Sequence, residues 1–129
     1  ISCENGPFTK AKSTTITGQV RTYGTEEAID HKPVTVQLLE ERISSTWGSG
    51  PIYDIVATTE SDANGCFYFD EKLYKHNIYY LGVDETTVFQ KQGYLDPYDY
   101  SRPKERHRIQ EIGGELNLNY YLTDCSNYQ

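Results

Sequence analysis

The sequence predicts an all-β protein, folded as a Greek-key β-sandwich of seven to eight strands. Short runs of alternating apolar and polar residues recur along the chain and are separated by turn residues at regular spacing, which is typical of a sandwich. No segment carries the i, i+3, i+4, i+7 apolar stripe of an amphipathic helix over three turns. Tyrosine contributes 12 of the 129 residues and favours the half-buried surface of a pleated sheet.

The first predicted strand lies at 15–21 and places Ile16, Gly18 and Val20 on one face. Gly18 is expected on the inward face, where the missing side chain lets the facing sheet approach. Further strands are predicted at 34–38, 52–59, 66–70, 78–83 and 116–122, with two shorter candidates at 86–90 and 108–112.

A turn is predicted at 60–65, because Asn64-Gly65 supplies the positive φ that tight turns require. The strand at 52–59 ends just before this turn and the strand at 66–70 begins just after it. The sequence therefore predicts that these two strands pair as a hairpin.

The chain length suits one domain. Residues 1–13 are polar and without periodicity, so they are predicted to form an N-terminal tether; the sandwich is expected at 14–125 and a polar tail at 126–129. No stretch approaches the roughly 20 apolar residues that cross a bilayer as a helix. The net charge of −7 and the pI of about 4.9 disfavour binding to nucleic acid, whose phosphates an acidic surface repels.

Four motifs in order carry a resemblance to a known family. They are ITGQV at 16–20, KPVTVQL at 32–38, DANGCFYF at 62–69 and IYYLGV at 78–83. Together they resemble the carboxypeptidase regulatory-like family of transthyretin-like or prealbumin-like sandwiches, over about residues 14–84. The resemblance implies a seven-stranded Greek-key sandwich that works as a binding or accessory module. The chain departs from the family in a long tyrosine-rich loop before residue 105 and in the strands predicted after it.

Enzymes that share this sandwich have signatures that do not match here. The chain ends Asp124-Cys125-Ser126-Asn127-Tyr128-Gln129, unlike the Tyr-Arg-Gly-Ser end of the hydroxyisourate hydrolases. Intradiol dioxygenases hold iron with two tyrosines and a His-x-His pair, whereas His107 lies between two arginines. The sequence therefore predicts a protein that is not an enzyme.

Metal ligation is not predicted either. The histidines occur singly, at His31, His76 and His107, and are expected to be surface or capping residues. The segment 62–65 resembles the start of a calcium loop, but Leu73 stands where such a loop has its bidentate glutamate. We expect neither a metal nor a cofactor.

The leading functional hypothesis is a non-enzymatic accessory or binding subunit of a bacterial cell-surface or outer-membrane assembly. Its contact with a protein partner is predicted in the loop 93–104, through Tyr94, Tyr98, Tyr100 and Arg102. Long loops in compact domains are usually functional or disordered, and tyrosine and arginine are common at interface hot spots. The open alternative is that this loop folds back and its tyrosines cap the core.

The runner-up hypothesis is a secreted or periplasmic carbohydrate-binding module, in which Trp47 and surface tyrosines stack against sugars. An acidic protein is not handicapped against neutral glycans. The alternative for the tyrosines is that they fill amphipathic positions of a small sandwich, with the ring inside and the hydroxyl outside.

The three cysteines support two predictions. Ile1-Ser2-Cys3 resembles the end of a lipobox, so Cys3 is predicted to carry lipid and to anchor an exported protein, its only contact with the membrane. Cys66 and Cys125 lie near predicted sheet ends and are predicted to form a disulfide, which an oxidising compartment permits. The alternatives are two unpaired thiols, or a bond between Cys3 and Cys125 if Cys3 carries no lipid.

Overall fold

The structure, a computed structural model, describes residues 11–30, 33–42, 51–84, 94–95 and 107–124. These residues form eight strands: β1 (Ala11–Thr22), β2 (Thr35–Arg42), β3 (Ile52–Glu60), β4 (Cys66–Tyr74), β5 (Ile78–Val83), β6 (Tyr94–Leu95), β7 (Gly114–Asn117) and β8 (Tyr120–Asp124). None of the described residues is in an α-helix. The predicted all-β sandwich class is confirmed. The strand expected at 86–90 lies outside the described residues.

The strands form two sheets. One sheet has five strands in the order β4-β1-β8-β6, with β7 also beside β1, and the other has the order β3-β2-β5. Strand β1 is the centre of the larger sheet. It pairs antiparallel with β4 along one side and parallel with β7 and β8 along the other. It begins at Ala11, inside the predicted tether, and the rest of that tether lies outside the described residues.

Alternating side chains of both sheets fill the core, as the sequence patterns predict. In β1, residues 14–20 alternate strictly between buried and half-buried positions. Strand β5 is an exception, because five of its six residues are buried and both of its faces are covered. The fully buried large side chains are Tyr79, Tyr120, Ile16, Ile29, Leu38, Leu73, Leu81, Leu122, Val20, Val34 and Val36.

The turn at 62–65 connects the two sheets, and the predicted hairpin is wrong. Strand β3 pairs with β2 while β4 pairs with β1, so the turn is an arch between sheets. The Asp62 carboxylate oxygen Oδ1 accepts hydrogen bonds from the backbone N–H groups of Asn64 and Cys66, each at 2.9 Å. Gly65 has φ of 80°, and a Cβ there would lie 2.7 Å from the carbonyl oxygen of Ile29. The turn chemistry is as expected, but the strand partners differ.

The strand predicted at 116–122 is interrupted in the structure. Strand β7 ends at Asn117 and β8 begins at Tyr120. In the gap, the side-chain oxygen Oδ1 of Asn119 accepts the backbone N–H of Gln19 at 3.0 Å, in place of a backbone carbonyl. The ladder is therefore continued by a side chain, and the backbone of residues 118–119 leaves the regular strand path.

Gly18 lies at this interruption. It is buried on the inward face, as predicted, but the group that approaches it belongs to its own sheet. A Cβ on Gly18 would lie 1.8 Å from the Leu118 carbonyl oxygen and 2.7 Å from the Phe67 ring. The expected approach of the facing sheet is therefore replaced by the link between β7 and β8.

The segment predicted as a strand at 108–112 contributes a single bridge. Arg108 pairs with Tyr80 of β5, and the N–H of Ile109 donates to the carbonyl oxygen of Tyr79 at 2.9 Å. The Ile109 side chain is buried in the core. This short contact covers the outer edge of β5.

Candidate functional site

The predicted tyrosine-rich contact loop lies almost entirely outside the described residues. Its first residues form β6, in which Tyr94 pairs with Asp124 and Leu95 with Thr123. The start of the loop is thus attached to the edge of the five-stranded sheet. Tyr98, Tyr100, Arg102 and the sugar-stacking candidate Trp47 lie outside the described residues, so both contact hypotheses stay predictions.

Of the three cysteines for which a role is predicted, the structure describes one. Cys66 begins β4, and its exposed thiol has no disulfide partner among the described residues. Its predicted disulfide partner Cys125 and the predicted lipid attachment site Cys3 lie outside the described residues. The Cys66–Cys125 bond and the lipid anchor therefore stay predictions.

The histidines are separated, and one of them is not where the sequence indicated. His76 is exposed, as expected, and His31 lies outside the described residues. His107 is buried, and its ring stacks on Tyr120 with centroids 3.9 Å apart, so the expected surface position is wrong for this residue. In the described parts of the chain, no three His, Cys, Asp or Glu residues are grouped so that they could hold a metal ion. Among those same residues, no helix is long and apolar enough to cross a membrane.

Three aliphatic side chains of β3 are exposed. Ile52, Ile55 and Val56 are 45%, 57% and 39% exposed, and we call them the aliphatic edge. The exposure of Ile55 and Val56 has a local cause, since the register between β2 and β3 shifts at Leu38/Leu39. Val56 is the extra residue of this bulge, so Ile55 and Val56 are adjacent and neither enters the core.

Strand β3 is the open side of the smaller sheet. Within the described ranges it has β2 as its neighbour on one side and no strand on the other. An edge of this kind presents backbone N–H and C=O groups to which another extended segment can pair.

An aromatic pair lies beside the aliphatic edge. The rings of Tyr53 and Tyr80 meet edge to face, with centroids 5.9 Å apart and planes at 84°. Both hydroxyls donate to the Glu41 carboxylate oxygen Oε1, at 3.5 Å and 3.4 Å. The shared acceptor orients both rings, so this face is an ordered apolar surface with one acidic group at its centre.

The charges around this face are mostly negative. Arg42 forms an exposed ion pair with Asp54. Glu40, Glu41 and Glu60 lie on the same two strands, which carry no other cationic residue. A partner that carries basic side chains beside its apolar ones complements this face.

The five-stranded sheet contains a groove of about 380 Å³, which is lined mostly by polar residues and which we call the amide groove. Its lining is Thr17, Gly18, Gln19, Arg21, Cys66, Phe67, Asn117 and Asn119. The groove lies over the interruption between β7 and β8, where Asn117 is exposed and Asn119 is half-buried. Sequence reasoning missed this set because its members come from segments about a hundred residues apart.

Hydrogen bonds hold the groove side chains in place. The Arg21 Nε donates to Gln19 Oε1 at 2.9 Å, and Gln19 Nε2 donates to the carbonyl oxygen of Asn64 at 2.9 Å. Asn117 Nδ2 donates to Thr17 Oγ1 at 3.3 Å. The lining is therefore preorganised before any ligand binds.

A second concavity of about 420 Å³, the tyrosine cleft, lies next to the groove and is lined by Tyr23, Gly24, Glu26 and Tyr121. The two are adjacent because Arg21, which lines the groove, pairs in register with Tyr121, which lines the cleft. Glu26 has φ of 65°, an uncommon conformation for a residue with a side chain. Strained backbone of this kind clusters at functional sites.

Comparison with known proteins gives only structural likenesses. No family model and no curated protein matches the chain. A DUF3823 family protein from Parabacteroides merdae ATCC 43184 is similar over 89% of this chain and 48% of its own, with 16% identity and a TM-score of 0.45. A DUF3823 family protein from Bacteroides uniformis ATCC 8492 is similar over 85% and 43%, with 17% identity and a TM-score of 0.46.

A third solved structure, the 9R-lipoxygenase from Cyanothece PCC8801, is similar over 88% of this chain and 17% of its own, with 14% identity and a TM-score of 0.41. The chain thus spans less than half the length of each of these three proteins.

Proposed function

We propose that the chain is a non-catalytic binding module that recruits a protein partner to a bacterial cell-surface assembly. The observation that carries the proposal is the aliphatic edge, where Ile55 and Val56 are adjacent and exposed on a strand that has one open side within the described residues. Contiguous exposed apolar side chains on a folded domain mark interaction sites.

The partner contributes an extended segment that adds to β3 as a further strand. Backbone hydrogen bonds along the open edge supply affinity, and the aliphatic side chains supply specificity. Since Glu41, Asp54 and Glu60 surround the edge, the partner segment carries apolar residues flanked by lysine or arginine. In this proposal the tyrosine-rich loop, with Tyr98, Tyr100 and Arg102, provides a second contact with the partner.

A site-specific photo-crosslink tests this interface. A photoreactive phenylalanine replaces Ile55 on the aliphatic edge, and the matched control replaces Tyr74, which is 44% exposed on β4 of the other sheet. After irradiation of cells that make the protein, we expect one protein adduct at position 55 and none at position 74. A synthetic peptide with the crosslinked sequence then binds the purified chain, and Ile55→Lys weakens it at least tenfold while Tyr74→Lys does not.

Three outcomes overturn the proposal. They are equal adducts at both positions, no adduct at position 55, or an adduct whose mass is that of two copies of this chain. Unfolding curves of Ile55→Lys and Tyr74→Lys check that both variants remain folded, because exposed positions tolerate such changes within about 0.5 kcal/mol.

The location at the outer membrane or cell surface rests on Ile1-Ser2-Cys3, which resembles the end of a lipobox. Two acyl groups on one cysteine anchor a protein stably, where a single chain binds reversibly. Mass spectrometry of the protein from its own cells checks this directly. A diacylglyceryl-modified peptide that begins at Cys3 supports the anchor, and an unmodified Cys3 peptide contradicts it.

A further inference from the structure

We propose that the amide groove and the tyrosine cleft form one continuous site for a neutral, linear oligosaccharide. This site lies on the five-stranded sheet, whereas the aliphatic edge belongs to the three-stranded sheet. The inference is independent of the proposed protein interface and adds a second ligand to the module.

The groove offers fixed donors and acceptors in the pattern that sugar hydroxyls require. Asn119 is held through its oxygen by the Gln19 N–H, and Asn117 is held through its nitrogen by Thr17. Within the described ranges, Asn119 Nδ2 and Asn117 Oδ1 make no hydrogen bond, so one donor and one acceptor face the groove. A hydroxyl both donates and accepts, so sugar hydroxyls can pair with either amide.

Tyrosine side chains lie along the same strip, by which we mean the amide groove and the tyrosine cleft taken together. Tyr68 is 55% exposed on β4, directly opposite Thr17 of the groove. Tyr121 and Tyr23 line the cleft, and Tyr23 is 47% exposed. Tyrosine combines an apolar ring face with a polar hydroxyl, which suits the C–H faces and the hydroxyls of a pyranose ring.

The charges of the strip favour a neutral ligand. Among the described residues, the one cation that lines either concavity is Arg21, whose Nε is bonded to Gln19, and the cleft contains the carboxylate of Glu26. The protein has a net charge of −7, which repels polyanions. A carboxylate accepts hydrogen bonds from sugar hydroxyls but opposes phosphate, sulfate or uronate groups.

The dimensions favour a chain of sugars over one small ring. The strip follows β1 from Thr17 to Thr22 and continues to Tyr23, and a strand rises about 3.3 Å per residue. The two concavities thus span roughly 20 Å. Several sugar units in a row can occupy that length, with the first units in the amide groove and the last against Tyr121.

Nuclear magnetic resonance titration of the full chain tests the site. Separate samples receive neutral gluco-, manno-, xylo- and galacto-hexasaccharides at up to about 10 mM, a range suited to a weak open site. We expect at least one sugar to shift the side-chain amide signals of Asn117 and Asn119. The Asn77 side-chain amide, which lies in the turn between β4 and β5 and donates to Glu40 of the other sheet, should not shift.

Variants then assign the contact. Asn117→Ala should weaken binding about fivefold, the effect of one lost hydrogen bond, whereas the matched control Asn77→Ala should leave it unchanged. Tyr121→Ala should weaken binding by a similar factor, and Tyr121→Phe should retain it because the ring remains. Ile55→Lys on the aliphatic edge should have no effect, which separates this site from the protein interface. Unfolding curves confirm that each variant is folded.

The proposal is overturned if none of the hexasaccharides shifts the Asn117 and Asn119 amides. It is also overturned if inorganic phosphate or sulfate shifts these signals more than any sugar at the same concentration, because the site then recognises anions through Arg21. Equal weakening by Asn117→Ala and Asn77→Ala would likewise contradict it.

Discussion

Replacing Gly18 with alanine should destabilise the protein through a backbone clash. The new Cβ would lie 1.8 Å from the carbonyl oxygen of Leu118, far inside contact distance, so residues 118–119 must move. Their displacement breaks the bond from the Leu118 N–H to Thr17, at 2.8 Å, and the bond from the Gln19 N–H to Asn119, at 3.0 Å.

The size of the effect follows from three contributions. Overpacking a filled site costs about 1–3 kcal/mol, and two lost hydrogen bonds add about 1 kcal/mol each. Alanine also restricts the unfolded chain, which offsets about 0.4–1 kcal/mol. The free energy of unfolding should therefore fall by about 2–5 kcal/mol, with a Tm lower by roughly 10 °C or more for a domain of this size.

Gly82→Ala is the matched control. Gly82 is also an interior strand position, but a Cβ there would meet only the tip of Leu39, at 2.9 Å from Cδ1. A side-chain tip can rotate away, so this variant should lose less than about 1 kcal/mol. Urea unfolding followed by far-ultraviolet circular dichroism measures both. Equal losses of unfolding free energy in Gly18→Ala and Gly82→Ala would refute the prediction, because it assumes that backbone atoms move less readily than the tip of a side chain.

Three further predictions concern the arch, a buried tyrosine and the exposed thiol. Asp62→Ala removes both hydrogen bonds to Oδ1 and should cost about 1–2 kcal/mol in urea unfolding, whereas Asp62→Asn keeps an acceptor oxygen and should cost less. Burial raises the pKa of the Tyr79 hydroxyl above 10, and Glu40 raises it further. The unfolded state therefore loses this proton first, and the free energy of unfolding should fall as pH rises past 10. Tyr79→Phe should reduce that fall, and a pH profile identical to that of the unchanged protein would contradict the assignment. Because the Cys66 thiol is exposed, iodoacetamide should alkylate it in the native protein. A peptide in which Cys66 is linked to Cys125 would instead establish the predicted disulfide.

The strand positions could be predicted because each strand has one face in the core. The alternation of apolar and polar residues in the sequence therefore matches the alternation of buried and half-buried positions, as in the run from Ile16 to Val20. The strand partners could not be predicted in the same way. The turn residues Asn64-Gly65 suit a tight hairpin and an arch equally, and only contacts between distant strands decide that β4 joins β1.

The candidate surfaces were hidden from sequence reasoning for physical reasons. The aliphatic edge depends on a bulge at Val56, and without that register shift the adjacent apolar pair Ile55-Val56 cannot be assigned to either face of the strand. The amide groove depends on Asn119 replacing a backbone acceptor for Gln19. A side chain in this role has no local pattern, since its partner lies 100 residues away along the chain.

The parallel pairing of β1 with β7 and β8 determines when the larger sheet can be completed. During synthesis β1 leaves the ribosome first of the described strands, and it can pair with β4 once the chain has emerged as far as Tyr74. Its other side waits for residues 114–122, so a nascent chain carries a half-paired central strand while residues 75–113 are being made. Contacts of this sequence separation slow folding and lengthen the exposure of an open edge, so the half-made protein is the state in which chaperones have most to protect.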